Sequence, residues 1–310
     1  TLEANLTAWY YDYRNYQIST IIANTSVNSN IDATLDGLEA EFRWQPDSRW
    51  AFNLAFDLTE SRVGNTMQVD TRNPTGGAAN TLLLKDANLT TTNAGNCVLY
   101  YGGSNFAADF ANLQALSGGL FFAPPGGTEA LKGSGIAHSA YGTCYAATSP
   151  ADPFYALSLS NPQMQALLAA THFATTNRAI GGTLTGVPRN LRGNMLGNTA
   201  PAAITFGTEY RQPLADGFTL TGRMEWYWRA PMYGRIFNDG ADRIPGFHIA
   251  NLFLTLTPPS GGWWLEAYAK NLGETAGING EYLSGATSGL YTGAFYTDPR
   301  TYGLSVHASL

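Results

Sequence analysis

Gly217-Phe218-Thr219-Leu220-Thr221-Gly222-Arg223-Met224-Glu225-Trp226-Tyr227-Trp228-Arg229 alternates by twos along its whole length. Phe218, Leu220, Gly222, Met224, Trp226 and Trp228 fall on one face; Thr219, Thr221, Arg223, Glu225, Tyr227 and Arg229 fall on the other. A period of two belongs to a strand, whose successive side chains point to opposite sides. Every charge of this strand lies opposite the tryptophans.

The same two-faced pattern recurs outward from this stretch. In 49–62, Trp50, Phe52, Leu54, Phe56 and Leu58 oppose Asn53, Asp57, Thr59 and Ser61. In 31–45, Leu38, Ala40, Phe42 and Trp44 oppose Glu39, Glu41 and Arg43. Strand 200–211 sets Ala202, Ile204, Phe206 and Tyr210 against Thr205, Glu209 and Arg211. Strand 263–272 sets Trp263, Leu265, Ala267 and Ala269 against Glu266, Tyr268 and Lys270. With the looser alternations at 1–14, 246–257 and 299–310, eight strands are predicted.

A soluble sandwich also alternates, but three features exclude it. Connections alternate in length: 46–48, 212–216 and 258–262 are tight, whereas 15–30, 63–199, 230–245 and 273–298 are long. Transmembrane barrels have this asymmetry, with short periplasmic turns and long extracellular loops. Aromatics collect at the two ends of the apolar face. Trp44, Trp50, Tyr210, Phe218 and Trp263 flank the tight turns, and Tyr10, Trp226, Trp228 and Tyr302 lie at the far ends. The distance between the two girdles is roughly 20–25 Å for tilted strands. Finally, the opposite face carries Glu3, Glu39, Glu41, Asp57, Glu209, Glu225 and Glu266 with Arg43, Arg211, Arg223, Arg229 and Lys270. A dry core rejects unpaired charge; a wet lumen accepts it.

Composition agrees with that reading. Only 13% of the 310 residues are charged and 13% are aromatic, with 34 glycines, whereas soluble domains carry about 25% charged residues. No run of about 18 apolar residues occurs, so no membrane helix is expected. The net charge of −6, without a basic patch, excludes a nucleic-acid partner. Thr1 is preceded by no basic or apolar leader, so an export signal is expected to have been removed or to lie upstream. The fold expected is all-β: a transmembrane antiparallel barrel in the bacterial outer membrane. Its long loops would be extracellular, its outer face would meet lipid, and Thr1 and Leu310 would both be periplasmic.

Several stretches resemble TonB-dependent outer-membrane receptors. Leu35-Asp36-Gly37-Leu38-Glu39-Ala40-Glu41 before Pro46 resembles a G-x-E-x-E strand of that family. Leu191-Arg192-Gly193-Asn194 through Pro201 into Phe206-Gly207-Thr208-Glu209-Tyr210 is similar to the entry of a late strand. Trp264-Leu265-Glu266-Ala267-Tyr268-Ala269-Lys270-Asn271-Leu272 resembles the strand ending in Asn-Leu near the C-terminus, and Pro299-Arg300-Thr301-Tyr302-Gly303 the entry to the last strand. The end of the chain is similar to a barrel-assembly signal, with Leu310 where Phe is usual. The resemblance covers 1–62 and about 190–310.

It implies that residues 1–310 are the C-terminal portion of one barrel of about 22 strands, supplying its last eight. The plug and TonB-contacting segment would lie outside them. It further implies active uptake of a scarce bulky nutrient, a ferric siderophore foremost, powered by the TonB–ExbB–ExbD complex. Trp9, Tyr11, Tyr13, Tyr227 and Arg229, inward and high on the wall, are the expected ligand contacts; aromatic and cationic groups suit an anionic, ring-bearing chelate. A structural or adhesion barrel whose large loop binds a partner is the alternative.

Residues 63–199 are too long for an idle connection and are expected to form a partly helical extracellular insertion. Ser160-Asn161-Pro162 opens a helix with Met164, Leu167, Leu168 and Thr171 on one face. A second helix starts at Asn105, carries Phe106, Phe110 and Leu113 on one side, and ends at Gly118. Cys97 and Cys144, the two cysteines of the chain, are expected to form a disulfide in an exported protein; a metal pair or redox couple is the sharper alternative. Tyr100, Tyr101, Phe121, Phe122, Phe154 and Tyr155 suit either a ligand or, as favoured here, the loop's own core.

No cofactor, catalytic group or metal site is expected. The histidines, His138, His172, His248 and His307, form no H-E-x-x-H, and G-x-S-x-G and P-loop motifs are absent, which leaves an outer-membrane hydrolase in third place. His307 should face the lumen and His248 the lipid. Glu39 and Glu41 should serve lumen salt bridges to neighbouring strands or a plug. Asn238-Asp239-Gly240 with Asp242 hints at calcium, but a loop turn explains it.

Overall fold

The computed structural model describes the chain except for residues 23–24, 87–95, 119–120, 123–134, 140–143, 145–148, 152–154, 156–157, 176–178, 181–182, 185, 286–288 and 309–310. Eight antiparallel strands form one sheet in sequence order. They are β1 (Leu2–Ile22), β2 (Thr25–Trp44), β3 (Trp50–Val63), β4 (Ala202–Pro213), β5 (Thr219–Arg229), β6 (Phe247–Thr257), β7 (Trp263–Lys270) and β8 (Thr301–Ala308). β1 and β8 are its edges and, among the described residues, do not pair with each other, so the described sheet is an open section of barrel wall and not a closed eight-strand barrel. Among the described residues no helix is long and apolar enough to cross a membrane.

The ladders carry the two faces from strand to strand without a slip between β2 and β8. Phe42 faces Leu54, Leu54 faces Phe206, and Phe206 faces Trp226; Glu39 faces Asp57 and Glu209 faces Arg223. Apolar side chains on the outer face stay open: Leu6 is 70% exposed, Leu304 67% and Val306 73%. In water such a face would be an aggregation surface; it matches the lipid side of a membrane barrel. Toward the loop end the outer face turns polar, where Arg62 pairs with Asp36 and Glu60. His248 lies opposite Trp228 on the outer face, and His307 stacks on Trp264 on the inner face.

The three tight turns are in place. Between β2 and β3, the Asp47 carboxylate accepts from the backbone N–H of Arg49 (2.7 Å) and Trp50 (2.9 Å). The Trp50 bond first and the Arg49 bond second hold that carboxyl below the usual aspartate range. Asp216 and Gly217, both at positive φ, reverse the chain between β4 and β5, and Gly261 does so between β6 and β7.

One expected loop is absent. Residues 15–30 are not a long connection: β1 and β2 stay paired from Leu2↔Trp44 to Ile22↔Thr25. A bulge between Tyr13 and Tyr16 interrupts the register, with Asn15 at φ 58° and its N–H donating to Asp32 Oδ1 at 3.1 Å. The extra residue lets the hairpin continue as an arm beyond the apolar band.

Between β3 and β4 the chain builds a separate module around a five-stranded sheet that period alone did not reveal. Thr81–Asp86 pairs antiparallel with Asn96–Tyr101 and parallel with Gly135–Ser139. Both expected helices are present. α1 (Phe106–Leu116) is capped by Asn105 and buries Phe110 and Leu113; α2 (Pro162–Ala170) is capped by Asn161 and buries Met164 and Leu168. Gly118 follows α1 at φ 69°. Leu82, Leu84, Leu99, Leu113, Leu159 and Leu168, all 0% exposed, share one core with the Cys97–Cys144 disulfide, whose Cα atoms are 5.5 Å apart. Tyr101 packs there against Phe106 and Phe173, whereas Tyr100 is exposed. Phe154 and the side chains of Phe121 and Phe122 lie outside the described set.

Candidate functional site

The inner face of β1 carries a continuous run of rings. Trp9 to Tyr11 is 5.3 Å between centroids, Tyr11 to Tyr13 is 5.7 Å, and Tyr13 to Tyr16 is 5.7 Å. Alternation places the first three together, and the bulge adds Tyr16 by shifting parity after Asn15. Trp9 lies over Gly37 on β2, where a Cβ would come within 2.5 Å of its ring. That contact explains the glycine of the G-x-E-x-E stretch: a side chain would displace the indole. The Trp9 indole N–H is buried without a partner among the described residues.

Tyr227 and Arg229 do not join this ladder. They sit on β5, with β2, β3 and β4 between. Arg229 is 7% exposed, donates from Nη2 to the Ile278 carbonyl at 2.9 Å, and lies over the Phe247 ring. Its visible work is to fasten the hairpin Ile278–Leu283/Thr292–Tyr296 to the wall.

At the loop end, the connections fold inward over the sheet. Leu191, Leu196, Ile236 and Phe237 pack on Ile31, Ala33 and Val63 in a second dry cluster. Beside it three loops are bound by charge. Arg235 donates to Asp70 Oδ1 at 2.6 Å and Asp242 Oδ1 at 2.8 Å. Arg72 donates to Asp242 Oδ1 at 2.7 Å and Thr292 Oγ1 at 2.5 Å. Arg189 grips both oxygens of Asp239 at 3.0 and 2.9 Å. Asp70 and Asp242 are fully buried, so each needs these donors. Burial opposes the charge on Arg235, but its hydrogen bonds to Asp70 and Asp242 prevail and raise its pKa. Burial likewise pushes Asp239 up, and Arg189 outweighs it, leaving the carboxyl below its ordinary value. The Asp239 and Asp242 carboxylates are therefore held by arginines, and no group of metal-binding residues occurs among the described ones.

Between the β1–β2 arm and these loops lies a cavity of about 530 Å³, reached by Tyr16, Ile18, Asn198, Arg235, Phe237 and Glu281. The aromatic ladder leads into it at Tyr16. Burial first, then Asp242, pushes the Glu281 carboxyl up, against Arg72 and Arg235. Lower on the inner face a second hollow, about 790 Å³, is walled by Glu3, Arg43, Asn53, Glu209, Arg223 and Asn251. Ion pairs there run along single strands, Arg211 to Glu209 and Arg223 to Glu225. Glu39 and Glu41 form no salt bridge to neighbouring strands among the described residues, which leaves only the expected plug as their partner.

Tyr16, Arg72, Arg235, Asp70 and Glu281 escaped sequence reading. The polar Arg14-Asn15 step inside a strand was the available sign of a bulge. The ionic partners are separated by up to 170 positions, and no spacing rule reaches that far.

Solved structures with a similar course include the ferric yersiniabactin uptake receptor of Yersinia pestis (10% identity, TM-score 0.49). Others are a siderophore receptor of Acinetobacter baumannii (12%, TM-score 0.44) and the copper transporter OprC (10%, TM-score 0.46). Each similarity covers 98% of this chain but only 27%, 25% and 28% of the other, respectively. No family model and no curated protein matches the chain.

Proposed function

We propose that this chain is wall and rim of an outer-membrane receptor that takes up a bulky chelate, a ferric siderophore foremost, under TonB–ExbB–ExbD power. The observation that carries this reading is the ring ladder Trp9–Tyr11–Tyr13–Tyr16 climbing the inner face into the 530 Å³ rim cavity. A run of neighbouring rings offers a sequence of apolar, hydrogen-bonding footholds at low entropic cost. In this reading the rim is extracellular, both chain ends are periplasmic, and the charged lower hollow faces a plug that TonB displaces. Trp9, Tyr11, Tyr13 and Tyr16 contact the ligand; Tyr227 lines the lower hollow, and Arg229 supports the rim hairpin.

The test is uptake of iron-labelled chelates by cells that depend on this protein, with and without TonB. Uptake should require TonB, and Tyr11→Ala or Tyr16→Ala should each weaken binding about three- to tenfold. Undiminished TonB-independent uptake would reject the reading. The adhesion alternative draws on a different observation, the disulfide-closed module between β3 and β4 with its own core. It would be favoured if removing that module abolished cell attachment and left uptake intact.

A further inference from the structure

The rim cavity contains two charged side chains among its lining residues, Arg235 and Glu281. Arg235 is consumed: its side chain is 13% exposed and its guanidinium spans Asp70 and Asp242. Arg72 and Arg189 are likewise occupied by Asp242 and Asp239, and Arg229 is not among the residues lining the cavity. Glu281 is different. It forms no hydrogen bond or ion pair among the described residues. Its side chain lies against Gly234, where a Cβ would come within 2.5 Å of Cγ and 2.7 Å of Oε1. The remaining polar lining is hydroxyl and amide: Ser19, Thr20, Ser26, Thr71, Gln17 and Asn198.

From this inventory we infer that the rim cavity selects a chelate bearing a protonated amine, with Glu281 as the carboxylate that receives it and Tyr16 as a ring lining the same cavity. The inference rests on the uptake reading and specifies its substrate class. The opposite class, a polyanionic chelate, would meet a free carboxylate and no free cation. An ammonium satisfies Glu281, gains hydroxyl and amide acceptors, and finds a ring face for cation–π contact. Burial and Asp242 disfavour the Glu281 charge more than Arg72 and Arg235 favour it, so an arriving cation relieves a remaining electrostatic cost. Gly234 serves the same end, since its missing side chain leaves room for the carboxylate.

The decisive experiment measures binding to the intact protein in detergent by tryptophan quenching. The probes are a ferric trihydroxamate with a terminal amine, its N-acetylated form, and a ferric tris-catecholate. The amine form should bind about tenfold tighter than the acetylated form, the worth of one charge-assisted hydrogen bond. Glu281→Gln should erase that difference and improve the catecholate; unchanged heat-modifiable migration controls for folding. Equal binding of the amine and acetyl forms, or catecholate binding that is tightest and indifferent to Glu281→Gln, overturns the inference and leaves the uptake reading standing. If no ferric probe binds but a metal-free alkylammonium does so through Glu281, the uptake reading falls and the cation site remains. No binding by any probe overturns the inference as well.

Discussion

The sheet and the module inserted between β3 and β4 are both β-rich, yet they place their side chains in opposite order. In the module, Leu82, Leu84 and Leu99 are fully buried, as in a water-soluble domain. In the sheet, Leu2, Leu6 and Val306 are more than two-thirds exposed, while Glu209, Arg223 and Glu225 face inward. A single chain that arranges apolar groups both ways is written for two solvents. The boundary between them falls where Asp36, Glu60 and Arg62 replace leucine and phenylalanine on the outer face.

The largest expected effect sharpens that contrast from the module's side. A crosslink closing 47 residues stabilises by about 4 kcal/mol in the chain-entropy account. Replacing Cys97 and Cys144 together by Ser should therefore ease opening of residues 80–175 by about that amount. Hydrogen exchange across the module should show it, with the heat-modifiable migration of the sheet unchanged. If the sheet loosened equally, the two regions would be one folding unit and the contrast would break.

On the sheet's side, Met224→Arg places a charge on the outer face near the middle of β5 and should cost about 2–4 kcal/mol in lipid. Thr221→Arg, on the inner face of the same strand, should cost well under about 1 kcal/mol. Reversible folding into vesicles measures both. Equal costs would mean that the exposed leucines and tryptophans do not face lipid.

How far each region could be read beforehand follows from the same contrast. In the wall, one face is apolar and exposed and the other polar, so alternation runs through nearly every position, and β3 to β8 lie within a few residues of expectation. In the module, helices announced themselves through caps, Asn105 and Asn161, because capping is a local rule. Its sheet did not, because Leu82-Leu83-Leu84 is an apolar run with no period. The arm at 15–30 was missed because its Ser, Thr and Asn residues carry no apolar face and so no alternation to read. Of the candidate site, the ladder was legible up to the bulge. The rim cavity was not, since Arg235 meets Asp70 across 165 positions.

The smallest effect probes the rim, where the inserted chain and the wall loops meet. Asp239 has a folded pKa below its unfolded value because Arg189 first, with Asp70 and Arg235, outweighs burial. A carboxylate shifted in this sense contributes stability that is present above the unfolded value, about pH 4, and is lost as pH falls through the folded value. The pair is partly exposed, with side chains at 29% and 32%, so its loss should amount to less than about 1 kcal/mol. Amide exchange at 187–191 and 238–243 should therefore rise modestly from pH 4 downward, after correction for intrinsic rates. The module core around Leu99, closed by the disulfide, should keep its protection over that interval, and so should β4 and β5. Asp239→Asn should remove the pH dependence and leave rim exchange at its acid level throughout. A rim whose protection grew on acidification would reverse the sign required by an Arg189-held carboxylate. Loss beginning in the module core would mean that the contrast between a pH-sensitive seam and two pH-tolerant interiors is wrong.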